Sequence, residues 1–196
     1  MKPARLALAR LALTILSTVT FAAQAAPNDG IVGAYARVEV GRSNLVLSSS
    51  LPQVAVSEHD QAIKLFGGYR FNENLGIEIG YAALGSFTKN AIVGGASVKQ
   101  DGTARSVFAV ATGRMPVGES FALHGRLGPS FGKVSGTNLL PEGDSMVGSK
   151  TSVLFGVGAE YRPKPNVALT FNYDSYGKLS NRVKASSLVF GLHFTL

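Results

Sequence analysis

Ala185-Ser186-Ser187-Leu188-Val189-Phe190-Gly191-Leu192-His193-Phe194-Thr195-Leu196 closes the chain and carries its clearest alternation. Taken at a period of two, it puts Leu188, Phe190, Leu192, Phe194 and Leu196 on one face and Ser187, Val189, Gly191, His193 and Thr195 on the other. One face is entirely large and apolar, whereas the opposite one is mostly small or polar. This dyad pattern over about ten residues is what a membrane-spanning β-strand needs, with lipid outside and a barrel lumen inside. A soluble strand can show the same alternation, so the reading requires further copies.

Further copies precede it. The pattern predicts strands over Val32–Val40, Ala62–Phe71, Leu75–Tyr81, Arg105–Met115, Phe121–Phe131, Ser152–Arg162 and Val167–Tyr173. Short turns rich in Asn, Pro and Gly fall at 72–74, 116–119 and 163–166. Long polar connections are expected over Arg42–Asp60, Gly85–Thr103, Lys133–Lys150 and Ser175–Lys184. Short turns alternating with long connections, an even strand number and aromatics at strand ends (Tyr69, Phe71, Tyr81, Phe121, Tyr161, Tyr173, Phe194) describe an eight-stranded antiparallel up-and-down transmembrane β-barrel. A soluble sandwich has no reason for its two ends to differ. Closure also pairs every backbone group in lipid, where an open edge costs several kcal/mol per unpaired group.

The start of the chain carries an export signal. Lys2, Arg5 and Arg10 precede an apolar run from Leu11 to Ala22, and Ala23-Gln24-Ala25 supplies the small residues of a cleavage site. The expected organisation is a cleaved signal peptide over 1–25 and a barrel domain over 26–196. The run is too short for a membrane anchor helix, which needs roughly twenty apolar residues. Cleavage turns 19 Lys+Arg against 12 Asp+Glu into 16 against 12, a net charge of +4. That scattered excess argues against a nucleic-acid partner. The chain has no cysteine, which fits an exported protein built without disulfides and removes thiol and zinc–thiolate chemistry.

The inward rows collect the cations Arg37, Lys64, Arg70, Arg114, Arg126 and Arg162 and the anions Glu39, Glu78, Glu160 and Asp174. Eight strands leave a lumen only just wide enough for side chains. Charges buried unpaired there are costly, so these groups are expected to form an internal ion-pair network. The inward glycines Gly68, Gly76, Gly80, Gly156, Gly158 and Gly191 leave room for long Arg and Lys side chains.

Gly67-Gly68-Tyr69-Arg70-Phe71-Asn72-Glu73-Asn74-Leu75-Gly76-Ile77-Glu78-Ile79-Gly80-Tyr81 resembles the second hairpin of the OmpA-like and OmpX-like outer-membrane β-barrel family. Gly113-Arg114-Met115-Pro116, Gly156-Val157-Gly158-Ala159-Glu160-Tyr161-Arg162 and Phe190-Gly191-Leu192-His193-Phe194 are similar to later parts of it, so the resemblance covers the chain after its leader. The chain departs from the family in ending on Leu196, where an aromatic is common, and in carrying Thr170 and Asn172, where relatives often carry Arg and Glu. The resemblance implies only the membrane barrel, without the peptidoglycan-binding domain of full-length OmpA proteins. It also implies contact with outer-membrane lipid and lipopolysaccharide, recognition of the closing strand by the barrel-assembly machinery, and host or surface ligands held by the loops.

Function is therefore expected to be structural or surface-interactive, carried by four extracellular loops over a closed lumen, with no cofactor and no catalysis. The basic cluster Lys178, Arg182 and Lys184 is either a contact for lipopolysaccharide phosphates or a solvated patch. A narrow ion-conducting pore is the alternative, and it would require the internal salt bridges to switch partners. A lipid A-modifying barrel enzyme is the third reading. The eight-stranded deacylases use a serine two residues after a histidine, and His59, His124 and His193 are followed there by Gln61, Arg126 and Thr195. Glu78 and Glu160 as an acid–base pair compete with the same residues as partners of Arg or Lys.

Overall fold

A computed structural model describes residues 32–48, 53–57, 59–93, 96–137 and 146–196. The leader expected over 1–25 lies outside the described residues. The strands are β1 (Gly33–Leu47), β2 (Gln53–Ser57), β3 (His59–Arg70), β4 (Leu75–Val93), β5 (Ala96–Val117), β6 (Phe121–Gly136), β7 (Gly148–Lys164), β8 (Val167–Lys178) and β9 (Val183–Thr195). All neighbours pair antiparallel, β9 returns to β1, and the β4–β5 pairing completes the ring. Along β4, β3 occupies Gly76–Ala83 and β2 occupies Thr88–Ala91, so β2 and β3 form one stave. The result is a closed eight-stave barrel.

One end is held by short turns. Asn72 Oδ1 accepts from the backbone N–H of Asn74 (2.9 Å) and Leu75 (2.8 Å), a self-capped turn that sets the β3–β4 register. Gly118 turns β5 into β6 with φ +77°, a left-handed conformation that glycine adopts without strain. The outward residues above these turns form an exposed apolar belt that includes Phe121, Leu123, Leu127 and Phe131 on β6 and Leu188, Phe190, Leu192 and Phe194 on β9. From Phe121 to Phe131, ten steps of about 3.3 Å tilted by about 40° rise roughly 25 Å, the height of a hydrocarbon band. All seven aromatics expected at strand ends are exposed on this belt.

At the other end the strands run past the belt. The expected connections over Arg42–Asp60, Gly85–Thr103, Lys133–Lys150 and Ser175–Lys184 are largely strand: β1 continues to Leu47, β4 to Val93, β6 to Gly136 and β8 to Lys178. Parts of the first three expected connections, at 49–52, 58, 94–95 and 138–145, lie outside the described residues. The alternation persists in these arms with its sense reversed. Arg42 and Asn44 now face outward, while Leu45 and Leu47 are buried inside. Water replaces lipid as the outer solvent, so the polar residue of each pair moves out and the apolar one moves in.

Gly85 carries φ +84° at a bulge between Ala83 and Ser86, which shifts the phase of β4 so that Leu84 and Phe87 both point inward. Asp60 ties the bulge down by accepting from the Ser86 backbone N–H (2.8 Å) and Ser86 Oγ (2.9 Å).

Candidate functional site

Among the described residues, chemistry-bearing side chains converge in the lumen, which is built in two layers. The layer nearer the short turns holds the ten charged residues expected to face inward. Lys64 Nζ donates to Glu39 Oε2 (2.7 Å) and to Asp174 Oδ2, joining β1, β3 and β8 across the lumen. Arg126, from the opposite wall, lies 3.6 Å from both Glu78 and Asp174 and 3.8 Å from Glu39. Those are ionic contacts too long for hydrogen bonds.

Glu160 is the second hub. Arg162 Nη2 (3.0 Å) and Arg114 Nε (3.3 Å) donate to its Oε1, while Arg70 (3.7 Å) and Arg37 (3.8 Å) face its Oε2. Arg162 also caps the β7–β8 turn through Pro165 O (2.6 Å).

Neutral polar groups absorb what the ions leave over. Tyr35 Oη donates to Glu78 Oε1 (2.7 Å) and stacks on His193 with ring centroids 4.5 Å apart. Arg37 Nη2 donates to His193 Nδ1 (3.0 Å). Glu39 Oε1 accepts from Asn172 Nδ2 (2.5 Å) and Thr170 Oγ1 (3.4 Å), so the two β8 departures from the family pattern both serve Glu39. His124 Nε2 meets Asn172 Oδ1 at 2.5 Å. The glycines expected to make room do so: a methyl group on Gly156 would stand 2.7 Å from Arg126 Cγ, and one on Gly191 2.4 Å from Glu39 Cγ.

Toward the arms the lumen turns mainly apolar, with the buried hydroxyls of Ser43, Ser106 and Ser130 among its side chains. Phe66 stands within the charged layer, one inward row nearer the short turns than Lys64. The charged groups of Lys64 and Arg126 lie 5.1 Å from its ring centre and that of Arg37 lies 5.3 Å away, each a cation–π contact. Phe66 packs edge-on to Phe108 (5.8 Å), and Phe108 to Tyr176 (6.4 Å). Leu45, Leu84, Phe87, Val134, Leu154, Leu179 and Val183 continue this buried cluster, and Met146, just before β7, is fully buried in it. A two-residue alternation along β3 and β5 turns Phe66 and Phe108 inward but does not show that they meet. Leu45, Leu84 and Phe87 were hidden because their surroundings read as loop. Among the described residues no group of His, Cys, Asp or Glu is arranged to hold a metal ion.

The arms are basic. Arg42, Lys99, Arg105, Lys133, Lys150, Lys178 and Lys184 are exposed. The described carboxylates of the same region are engaged, Asp60 with Ser86 and Asp101 with Thr88 (2.7 Å) and Lys99 (3.4 Å).

Comparison with known proteins agrees with this architecture. The family model of the outer membrane protein beta-barrel domain matches residues 11–195. No curated protein sequence matches the chain. Among solved structures, OprG from Pseudomonas aeruginosa is similar over 86% of this chain and 99% of its own, with TM-score 0.60 and 12% identity. Neisserial surface protein A is similar over 84% of this chain and 97% of its own (TM-score 0.56, 20% identity). Ail of Yersinia pestis, solved with the heparin analogue sucrose octasulfate, covers 83% and 98% (TM-score 0.51, 19% identity). At these identities the likeness is one of fold.

Proposed function

We propose, from the premise that this chain belongs to the outer membrane protein beta-barrel domain family, that it acts at the cell surface by binding through its arms and neither conducts solute nor catalyses a reaction. The protein resides in the outer membrane. In this reading the short turns face the periplasm and the arms face outward, continuing the strands above the lipid.

The observation that carries this reading is the two-layer lumen. An ion hopping from Glu160 to Asp174 would next meet Phe108 and Tyr176, then Leu45, Leu84 and Leu179, and the hydroxyls of Ser43, Ser106 and Ser130 buried beside them are taken up by hydrogen bonds of their own. An interior so largely apolar excludes water and charge. Function is then left to the arms, whose exposed cations suit an anionic partner. The cluster Lys178, Arg182 and Lys184 meets lipopolysaccharide phosphates, Arg42, Lys99 and Lys150 meet a host or surface polyanion, and β9 is the strand handed to the barrel-assembly machinery.

Two measurements test this reading. In planar bilayers the purified barrel stays silent. Steady single-channel steps, abolished by Glu78→Ala or Arg126→Ala, would overturn the closed lumen. On intact cells, surface protease cuts the arms and leaves the short turns. Replacing one arm at a time then lowers binding to an immobilised polysulfated saccharide, and unchanged binding for every arm counts against the surface role.

A further inference from the structure

We propose that the outer wall of β4–β6 holds a single outer-leaflet lipid whose headgroup is a phosphorylated saccharide, with its phosphate on Arg105 and Lys133. Antiparallel register sets these two cations directly opposite one another. Like charges so placed destabilise a strand pair. Both side chains are exposed, and neither has an ion-pair partner among the described residues. A shared anion resolves that repulsion.

What lies below and above the pair specifies the rest of the ligand. Val107 and Phe131 form the next row down, at the top of the apolar belt. One row further, the ladder between β5 and β6 skips Ala109 and Val110, where Pro129 has no N–H to give. Small residues there, Gly67, Ala109 and Pro129, leave a groove of about 650 Å³ in the lipid-facing wall. Its sides are Tyr69, Ile77 and Ile79, a lining suited to an acyl chain.

Above the cation pair the outward row becomes Ser86, Thr103 and Ser135. With Thr88 and Thr137 these line a cup of about 420 Å³ whose rim carries the Lys99–Asp101 pair. The order along β5 is therefore groove at Ala109, cation at Arg105 and hydroxyls at Thr103. Four residues and then two separate them, about 13 Å and 7 Å at strand rise. Inorganic phosphate would use only the middle of this track, and an ordinary phospholipid the lower two parts. A phosphorylated, acylated saccharide uses all three. The site lies on the wall formed by β4–β6, away from the basic cluster of β8–β9.

The inference rests on the outer-membrane placement proposed above, but its test does not depend on orientation or conductance. Protein folded in uncharged detergent micelles is titrated with lipid A, the bisphosphorylated acylated glucosamine disaccharide, and bound lipid is counted by native mass spectrometry. Wild type takes up one molecule. The double variant Arg105→Ser/Lys133→Ser binds at least tenfold more weakly, and the dephosphorylated lipid is weakened to a similar degree on wild type. Ala109→Phe, which fills the groove and leaves both cations, weakens binding of lipid A but not of its deacylated phosphosaccharide. Retained heat-modifiable gel migration shows that each variant is folded, and Arg105→Gln/Lys133→Gln replaces the first pair if it is not. Undiminished binding by the folded double variant overturns the proposal. So does phosphatidylglycerol binding as tightly as lipid A, or displacement of lipid A by inorganic phosphate at millimolar concentration.

Discussion

Glu39 and Lys64 stand directly opposite one another across the β1–β3 ladder, and the Lys64 ammonium donates to Glu39 at 2.7 Å while also holding Asp174 of β8. One cation thus ties a local strand pair to the far wall. Both side chains are fully buried, so the pair was desolvated on folding and depends on its geometry to recover that cost.

Lys64→Met is expected to leave Glu39 and Asp174 facing each other without their shared cation. Loss of one partner from a buried pair costs about 3–5 kcal/mol. Urea unfolding in micelles measures it. The double variant Lys64→Met/Asp174→Asn should be more stable than the single one, and a double variant that is no better would show that Asp174 does not depend on Lys64.

Glu160→Gln removes the carboxylate charge on which Arg37, Arg70, Arg114 and Arg162 converge. Four guanidinium groups then repel one another with only a neutral amide between them, and the expected loss is again about 3–5 kcal/mol. Bilayer conductance should remain silent in this variant because the apolar layer above is intact. Current from Glu160→Gln alone would locate the seal in the wrong layer.

Phe66→Ala together with Phe108→Ala tests that layer directly. Removing two of the rings in the aromatic deck opens space between Lys64 and Leu84, and water can then reach the charged layer from the arm side. The expected readout is brief current steps in planar bilayers where wild type shows none. Silence in a folded variant would mean that Leu45, Leu154 and Leu179 suffice as a barrier.

Gly80→Ala and Gly113→Ala separate close approach from mere strand position. A methyl group on Gly80 would fall 2.2 Å from Phe66 Cβ and 2.8 Å from Leu65 O, whereas one on Gly113 would meet nothing within 4 Å. The first should cost about 1–3 kcal/mol by overpacking and the second should be close to neutral. Equal effects in urea titrations would contradict the packing described at Phe66.

Leu127→Arg places a cation at the middle of the apolar belt on β6. The expected cost in a lipid bilayer is about 2–4 kcal/mol, against about 0–1 kcal/mol for Ser149→Arg, which lies beyond the belt on β7. Folding titrations in vesicles compare them, and equal costs would mean that the belt does not sit in hydrocarbon.

Much of this molecule is legible in its sequence. Residues such as Leu188, Phe190 and Leu192 alternate strictly because lipid contacts one face of a strand and the lumen the other, so the pattern reports the environment of each position directly. The turns at Asn72–Asn74 and Gly118 were visible because their chemistry is local. The ten charged residues of the inward rows lie on the buried face of their strands, a placement that follows from the two-residue period.

The same logic misplaces the arms. A search for apolar residues outside reads Arg42–Asp60 as loop, although Leu45 and Leu47 alternate with Arg42 and Asn44 in the opposite sense. Nothing in the one-dimensional pattern marks the height at which lipid gives way to water, and the bulge at Gly85 shifts the phase just where the change occurs.

The order of residues along each strand settles which side chains enter the lumen and which meet lipid, because a two-residue period follows from backbone geometry alone. Which of them meet was decided only by the tertiary structure. Lys64 and Asp174 are 110 residues apart, and Phe66 reaches Phe108 from a different stave. Such pairs depend on strand stagger and closure, quantities that belong to the whole ring and to no segment of it.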